Sequence, residues 1–308
     1  MELLSDLLID SYSGNYEAII RVIAGFLRKN TDAYIEIQGR LDKGNILAKF
    51  GDPKLVINCH MDTVAPGDGW TLDPVGLTLR AGRAYGLGTA DTKGNIYALL
   101  MAAASCVPKD VMLLFSYDEE AGITTGVSDF LEPSYAAGIK KAIICEPTRL
   151  QYVSRHKGYS AYEIKISGCS AHSSLAKKNV IVEAAKLIEK FQKAGFNVGT
   201  ILGGTAANTV PSACTFTVSY RSYGPARDMV YDLAGNKAKV SCLTEKPPLI
   251  SSTGPEADFW TEAALFQKKG ISAQVFGAGD IDQAHAPDEY VEVSELKKAR
   301  DAFVGMLT

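Results

Sequence analysis

The chain has 308 residues, 46% hydrophobic and 22% charged, which is enough apolar material for one large domain or two moderate ones. Its formal net charge of −3 excludes the strong positive potential typical of proteins that bind nucleic acid or anionic membranes. No apolar run reaches transmembrane length, the acidic start MELLSDLLID does not resemble a signal peptide, and six cysteines form no CxxC pair, so we expect a cytoplasmic protein with reduced thiols.

The first 150 residues alternate between predicted helices and predicted strands. Apolar side chains recur at helical spacing in MELLSDLLID and in residues 15–29, and residues 94–107 suit a buried helix. The predicted strands are AYIEIQ, NILAKF, KLVINC, VMLLFSYD and KKAIICEP. This alternation predicts an α/β domain with a mixed, largely parallel sheet flanked by helices.

The composition changes near residue 150, where a second group of elements begins. Its predicted order is βαββαβ, with strands YSAYEIKISG, NVGTILGG, ACTFTVSYRS and KAKVSCLTE and helices at 179–195 and 225–235. The segment after it contains a predicted helix at 256–269, a strand SAQVFG and a helix from about Ser294, too little for a core of its own. Residues 151–246 are therefore predicted to form an inserted α+β domain, and residues 1–150 and 247–308 one domain together.

Acidic and imidazole side chains follow the predicted strands of the first domain. They are His60 and Asp62 after KLVIN, Asp91 in GLGTADTKGN, Glu119 and Glu120 after VMLLFSYD, Glu146 after KKAIIC, and His285 in GAGDIDQAHAPDEY. Ligands gather beyond the carboxyl ends of strands in open α/β sheets, so we expect these side chains to converge.

Convergence of so many carboxylates requires cations, because buried like charges repel one another and lose hydration. Imidazole and carboxylate ligands without thiolates suit zinc or cobalt, and two ions sharing one carboxylate suit hydrolysis with a spare glutamate as base. Taken singly, each residue has a plainer explanation. A strand-end Asp or Glu is commonly a turn former or a cap, Glu119 and Glu120 suit a solvated corner, and His60 suits a core histidine.

Five motifs in a fixed order favour the metal site over these plainer explanations: HMDTV, GLGTADTKG, DEEAG, CEPT and AHAPDEY. Together they resemble the aminoacylase / acetylornithine deacetylase / succinyl-diaminopimelate desuccinylase family of di-zinc metallohydrolases, which also contains carboxypeptidases and dipeptidases. The resemblance covers nearly the whole chain, and the tail is most similar to acetylornithine and acetyl-lysine deacetylases.

The resemblance implies a catalytic domain with two divalent ions, zinc or cobalt. One ion is expected on His60, Asp91 and Glu146, and the other on Asp91, Glu120 and His285, with Asp91 bridging. Glu119 is the expected general base, and Asp62 is expected to support His60 by accepting its other ring N–H. The expected reaction removes an N-acyl group, in particular acetyl, from an amino acid such as N-acetylornithine or N-acetyl-lysine, in arginine or lysine biosynthesis.

The same resemblance implies that the inserted domain is a lid through which a homodimer forms. His172, in ISGCSAHSS, is expected to reach the partner subunit's active site and stabilise the oxyanion. Asn208 and Arg221 are expected to grip a substrate carboxylate. Gly279, in GAGD, either adds backbone donors around the substrate or serves only a tight turn.

Three alternatives share these motifs. Two are reactions of the same family, namely desuccinylation of succinyl-diaminopimelate and cleavage of short peptides by a metallo-carboxypeptidase or dipeptidase. The third is a non-catalytic small-molecule binding protein on the same scaffold. An intact Glu119 argues against the third, since a binding protein has no need of a base beside the metals.

Overall fold

A computed structural model describes residues 1–308. Its α-helices are α1 (Glu2–Leu7), α2 (Glu17–Asn30), α3 (Lys93–Ser105), α4 (Thr125–Phe130), α5 (Pro133–Ala136), α6 (Val180–Lys193), α7 (Arg227–Ala234), α8 (Ala263–Lys268) and α9 (Val293–Leu307). None of these helices combines the length and the apolar character needed to cross a lipid bilayer.

The strands range from two to ten residues in length. They are β1 (Tyr34–Gly39), β2 (Gly44–Phe50), β3 (Leu55–His60), β4 (Thr78–Arg80), β5 (Arg83–Tyr85), β6 (Val111–Ser116), β7 (Lys141–Ile144), β8 (Arg155–His156), β9 (Gly158–Ser167), β10 (Ala171–His172), β11 (Asn197–Gly203), β12 (Thr209–Val210), β13 (Ala213–Ser222), β14 (Lys239–Lys246), β15 (Glu256–Ala257), β16 (Ser272–Val275) and β17 (Tyr290–Glu292).

Two compact units divide the chain. The larger unit comprises residues 1–155, 251–257 and 261–308, and the smaller unit comprises residues 156–250 and 258–260. The sequence predicted borders after residues 150 and 246, so both junctions lie a few residues later in the structure than in the prediction.

The larger unit is built on a six-stranded sheet with the order β1-β2-β6-β3-β7-β16. Strands β6, β3, β7 and β16 are parallel, whereas β1 and β2 run antiparallel to their neighbours. Every residue of β6 is buried, which explains its continuous apolar run, because both faces of a parallel sheet are covered. The mixed, largely parallel sheet predicted from the sequence is confirmed.

Helices α2 and α3 illustrate two ways of covering this sheet. In α2 the side chains of Ile19, Ile20, Ile23 and Leu27 recur on one face and are fully buried, while the opposite face is polar. In α3 nearly every position is buried, because the helix also packs against α1, α2 and α9. The apolar composition of α3 follows from this central position.

The smaller unit contains a four-stranded antiparallel sheet with the order β11-β13-β9-β14. Buried and less buried residues alternate along β9, which is the pattern of a sheet with one covered face. Helices α6 and α7 cover that face around Phe191 and Phe216. Its main elements follow the predicted βαββαβ order.

One predicted helix begins later than expected. The sequence predicted a helix over residues 256–269, but α8 extends only from Ala263 to Lys268. Glu256 instead lies in the two-residue strand β15 and forms an ion pair with Arg155. The Thr261 hydroxyl accepts from the backbone N–H of Ala263, a local bond that favours the start of a helix over its interior.

All six cysteines are free in the structure. Cys59, Cys145 and Cys214 are buried, whereas Cys169 and Cys242 are exposed.

Candidate metal centre

Three parallel strands deliver chemically active side chains to one edge of the large sheet. Strand β3 ends at His60, which lies opposite Ser116 at the end of β6, and β7 ends one residue before Cys145 and two before Glu146. Because parallel neighbours end at the same edge, the residues that follow them meet there. Glu119 and Glu120 occupy the turn after β6.

The first group of candidate ligands consists of His60, Asp91 and Glu146. The Nε2 atom of His60 lies 2.9 Å from Oδ1 of Asp91, and one donor atom from each of the three residues lies within 4.8 Å of the others. All three side chains are buried.

The second group consists of Asp91, Glu120 and His285. The Nε2 atom of His285 lies 2.9 Å from Oε1 of Glu120 and 3.7 Å from Oδ2 of Asp91. The His285 side chain is 49% exposed, against 2% for His60. Asp91 is the one residue common to both groups, with one oxygen directed to each histidine.

The main chain of Asp62 orients His60. Its carbonyl oxygen lies 2.9 Å from Nδ1 of His60, whereas its carboxylate is 3.8 Å away. A carbonyl can only accept, so Nδ1 carries the proton and Nε2 presents a lone pair when the ring is neutral.

The sequence predicted that the Asp62 carboxylate accepts the ring N–H of His60. This prediction is wrong in one respect, because the Asp62 carbonyl accepts it instead. The two oxygens of the carboxylate accept from the backbone N–H groups of Glu119, at 3.2 Å, and Glu120, at 2.8 Å. These bonds occupy both oxygens of the carboxylate, the nearer of which lies 3.8 Å from Nδ1 of His60. Asp62 therefore holds the turn that carries both glutamates.

Burial raises the pKa values of three acids in this cluster. Burial, and then the charge of Asp91, raise the pKa of Glu146 well above its usual range. Burial likewise raises the pKa of Asp62 and of Glu120, the latter despite the hydrogen bond from His285. The carboxylates therefore lack sufficient positive charge from the protein alone.

The pKa values of the two histidines are also raised, which in their case favours the charged form. Burial by itself lowers the pKa of His60, but the hydrogen bond and charge of Asp91 outweigh it and raise the pKa well above its ordinary value. The Glu120 hydrogen bond is the main cause that raises the pKa of His285 to about 9. The neighbouring carboxylates therefore favour a positive charge at both imidazoles, a charge that a bound cation would supply in place of a proton.

The donor atoms fit two divalent cations. Each group offers one imidazole nitrogen and two carboxylates, with no thiolate, and the shared Asp91 has one oxygen for each position.

A family model described as Peptidase family M20/M25/M40 matches residues 56–308 of this sequence. The chain belongs to this family. It is accordingly a hydrolase, and the family predicted from the five sequence motifs is confirmed.

Two relatives in this M20 family are deacetylases by name. The chain is 30% identical to an acetylornithine deacetylase of Pectobacterium carotovorum over 92% of its own length and 88% of the relative. It is 28% identical to an N-acetyl-L-citrulline deacetylase of Xanthomonas campestris over 82% of its own length and 81% of the relative.

A solved structure of the family shares the fold. A dinuclear metal-binding M20 peptidase of Bacillus subtilis superposes with a TM-score of 0.77 at 16% identity, covering 99% of this chain and 97% of that one.

Three predicted site residues of this M20 hydrolase lie in the smaller unit. His172 is exposed, and its register partner is Thr209, while the carbonyl of Asn208 accepts from the backbone N–H of Ser173. Asn208 and His172 are therefore neighbours.

Arg221 is separated from these two residues. It pairs with Tyr159 near the far end of β13, and its guanidinium lies over the Tyr159 ring at 5.1 Å. The strand between Ala213 and Arg221 is roughly 26 Å long. Asn208 and Arg221 of one chain therefore do not meet, and the prediction that they jointly grip one carboxylate is not supported within a chain.

Gly279 does not offer a free backbone donor. Its N–H donates to the Glu295 carboxylate at 2.9 Å, and the N–H groups of Gly277 and Ala278 are also bonded within the larger unit. The residue has φ +95, and a Cβ there would lie 3.1 Å from the Cα of Ala90. Of the two predicted roles, the tight turn fits and the donor role does not.

Sequence reasoning missed three buried or half-buried acids: Glu262, Asp288 and Glu289. Glu262 accepts from Asn58, and burial with the charge of Glu119 raises its pKa to about 8. Asp288 and Glu289 lie in the same motif as His285, AHAPDEY. The two adjacent acids in this motif were the signal by which the sequence could have identified them.

Proposed function

We propose that this chain is a metal-dependent amide hydrolase that removes an N-acetyl group from an amino acid, with N-acetylornithine or N-acetyl-lysine as the expected substrate. The observation that carries the proposal is the pair of ligand groups joined by Asp91, with Glu119 beside them. The names of the acetylornithine and acetylcitrulline deacetylases support the acetyl group and the amino-acid substrate.

In this proposal two zinc or cobalt ions bind, one to His60, Asp91 and Glu146 and the other to Asp91, Glu120 and His285. The Bacillus subtilis structural neighbour is described as dinuclear, which supports two ions rather than one. When bound, the ions polarise the amide carbonyl and acidify the attacking water.

Glu119 is the proposed general base. It belongs to neither ligand group, yet its charge raises the pKa of both Glu146 and Glu262, so it lies within electrostatic range of the centre. Its backbone is held by the Asp62 carboxylate. Glu119 accepts a proton from the attacking water and later donates it to the leaving amine, which regenerates the carboxylate.

The smaller unit is proposed to act as a lid and to form a homodimer. Strand β11 is an edge strand with exposed apolar residues, of which Ile201 is 52% and Leu202 70% exposed. Such an edge is a template for pairing with a second strand. His172 makes its hydrogen bonds through Nδ1 to Ser174, so its Nε2 atom is available to an oxyanion in the partner subunit.

Two variants test the dimer. Leu202→Glu is expected to yield a monomer with little activity, as measured by analytical ultracentrifugation and initial rates. His172→Ala is expected to remain dimeric with both ions bound and to lose turnover. Full activity in a monomeric Leu202→Glu protein, or loss of metal in His172→Ala, would contradict these roles.

A substrate panel tests the function itself. The chain is loaded with Zn²⁺ or Co²⁺, and products from N-acetylornithine, N-acetyl-lysine, N-acetylcitrulline, succinyl-diaminopimelate and short peptides are measured by chromatography. Glu119→Gln with matched metal content is the control for contaminating activity. Cleavage of the acetylated amino acids above all others is expected.

Other outcomes of the panel identify the alternatives. Exclusive cleavage of succinyl-diaminopimelate indicates a desuccinylase, and exclusive cleavage of peptides indicates a carboxypeptidase or dipeptidase. No cleavage of any amide by a chain that holds two ions would overturn the proposal in favour of a binding protein.

A further inference from the structure

Glu289 is a buried carboxylate outside both ligand groups. Its side chain is only 1% exposed. Glutamate is rarely buried unless its carboxylate has bonding partners. One oxygen accepts from the backbone N–H of Gly88 at 2.8 Å, and the other accepts from those of Ala90 at 2.8 Å and Asp91 at 3.0 Å. A single carboxylate thus binds three backbone donors of one loop.

That loop carries the shared candidate ligand. It runs from the end of β5 at Tyr85 to Asp91, just before α3. Gly86 and Gly88 both have positive φ, a conformation that glycine adopts without strain but that it does not by itself enforce. The loop therefore needs external bonds to hold one conformation, and charge-assisted bonds to a carboxylate are among the strongest available.

The backbone of Glu289 adds to this grip. Its carbonyl oxygen accepts from the N–H of Gly86 at 3.0 Å. Glu289 follows His285 by four residues, so one short segment supplies a ligand of the second group and also holds the loop of Asp91.

We propose that Glu289 is a positioning residue for Asp91, and that it determines where the shared carboxylate lies between the two ion positions. The inference rests on the proposed binding of two ions. Because Asp91 belongs to both groups, displacement of its loop weakens both ions together. Loss of Glu120 or Glu146, in contrast, removes a ligand from one ion only.

Glutamine cannot replace Glu289 in this role. Its amide has one oxygen, which can accept from Ala90 and Asp91, but the NH₂ group must then face the N–H of Gly88. The substitution loses a hydrogen bond and places two donors against each other while preserving the volume of the side chain.

The neighbouring residue provides a matched control. Asp288 accepts from the backbone N–H of Thr71 at 2.9 Å, its hydroxyl at 2.6 Å, and the N–H of Leu72 at 3.0 Å. It also binds three donors, but in a loop without a candidate ligand. Asp288→Asn therefore makes the same chemical change one residue away.

The test is a calorimetric titration of the metal-free wild type, Glu289→Gln and Asp288→Asn with Co²⁺, well below their unfolding temperatures. The visible absorption spectrum of bound Co²⁺ is recorded in parallel. Wild type and Asp288→Asn are expected to bind two ions alike. Glu289→Gln is expected to bind both ions about 10–100-fold more weakly with an altered spectrum, the range for residues that orient metal ligands.

The outcomes separate this role from mere structural support. Lower thermal stability of Glu289→Gln with unchanged affinity for both ions would overturn the proposal, as would weakening of one ion alone. If Glu289→Gln does not fold, Glu289→Asp replaces it, because the shorter carboxylate keeps the charge but cannot reach all three donors. A wild type that binds fewer than two ions overturns the proposed function itself.

Discussion

The turn that carries Glu119 and Glu120 depends on one buried side chain, the Asp62 carboxylate. Asp62→Asn preserves the shape of that side chain and changes its hydrogen bonding. The amide oxygen can replace one carboxylate oxygen, but its NH₂ group must face the other backbone N–H. One charge-assisted bond is lost, and one buried donor is left without a partner.

The structure sets the size of the effect. A hydrogen bond to a charged group contributes about 1.5–3 kcal/mol. At about 1.4 kcal/mol per factor of ten in rate, this corresponds to a roughly 10- to 150-fold lower kcat/KM if the whole loss falls on the transition state. The ligand side chains are unchanged, so we expect two ions to remain bound at saturating metal.

The assay is the initial rate of N-acetylornithine hydrolysis at saturating Co²⁺, with metal content measured on the same samples. Asp129→Asn is the control, since Asp129 is exposed and its carboxylate accepts from the hydroxyl of Tyr117 rather than from the backbone N–H groups of Glu119 and Glu120. An unchanged rate in Asp62→Asn would refute the reasoning. Selective loss of the ion bound by His60 would show that the carboxylate acts on the imidazole instead.

Three further predictions follow from the centre. Glu119→Gln is expected to lower kcat by about 10²–10⁴-fold, the usual contribution of a general base, while metal analysis still finds two ions; retention of the wild-type rate would exclude Glu119 as the base. A slow chelator is expected to remove the ion at His285 before the ion at His60, because the His285 side chain is half-exposed and the His60 side chain is buried. Co²⁺ spectra recorded during chelation report the order, and simultaneous loss of both ions would contradict the prediction. In the metal-free protein, burial raises the pKa of Glu262 from 4.5 to about 8, so the unfolded chain releases this proton first and stability falls as the pH rises between these values. Relative to Glu262→Gln, the wild type should therefore lose several kcal/mol of unfolding free energy between pH 5 and pH 8, at about 1.4 kcal/mol per pKa unit, and its melting temperature should fall accordingly. Melting temperatures of the two proteins that change in parallel over that range would disprove the assignment.

The elements of the larger unit could be predicted because their pattern is local. Buried strands such as β6 appear in the sequence as continuous apolar runs, and α2 repeats its apolar residues at helical spacing. The meeting of His60 with the residues after β6 and β7 could also be predicted, since parallel strands end at a common edge.

The hydrogen bonds of the centre could not be predicted in this way. Whether the carbonyl or the carboxylate of Asp62 faces His60 depends on backbone angles over two residues, which no residue pattern reports. Glu289 acts on backbone N–H groups, and these are present whatever the sequence of the loop. The separation of Asn208 from Arg221, in contrast, was predictable, because the predicted strand ACTFTVSYRS already places about its own length between them.

Translation adds residues in chain order, and His285 is the last of the five candidate ligands to be added. The ribosome completes the whole smaller unit, residues 156–250 and 258–260, before it adds strand β16 and this histidine. Between the addition of Glu146 and that of His285, the nascent chain therefore carries Asp91, Glu120 and Glu146 without the imidazole that completes the second group. A chain that terminates before residue 285 lacks the only imidazole of the second group and also α9, whose Leu296 and Phe303 are buried in the core, so we expect such products to lose the second ion position together with part of the fold.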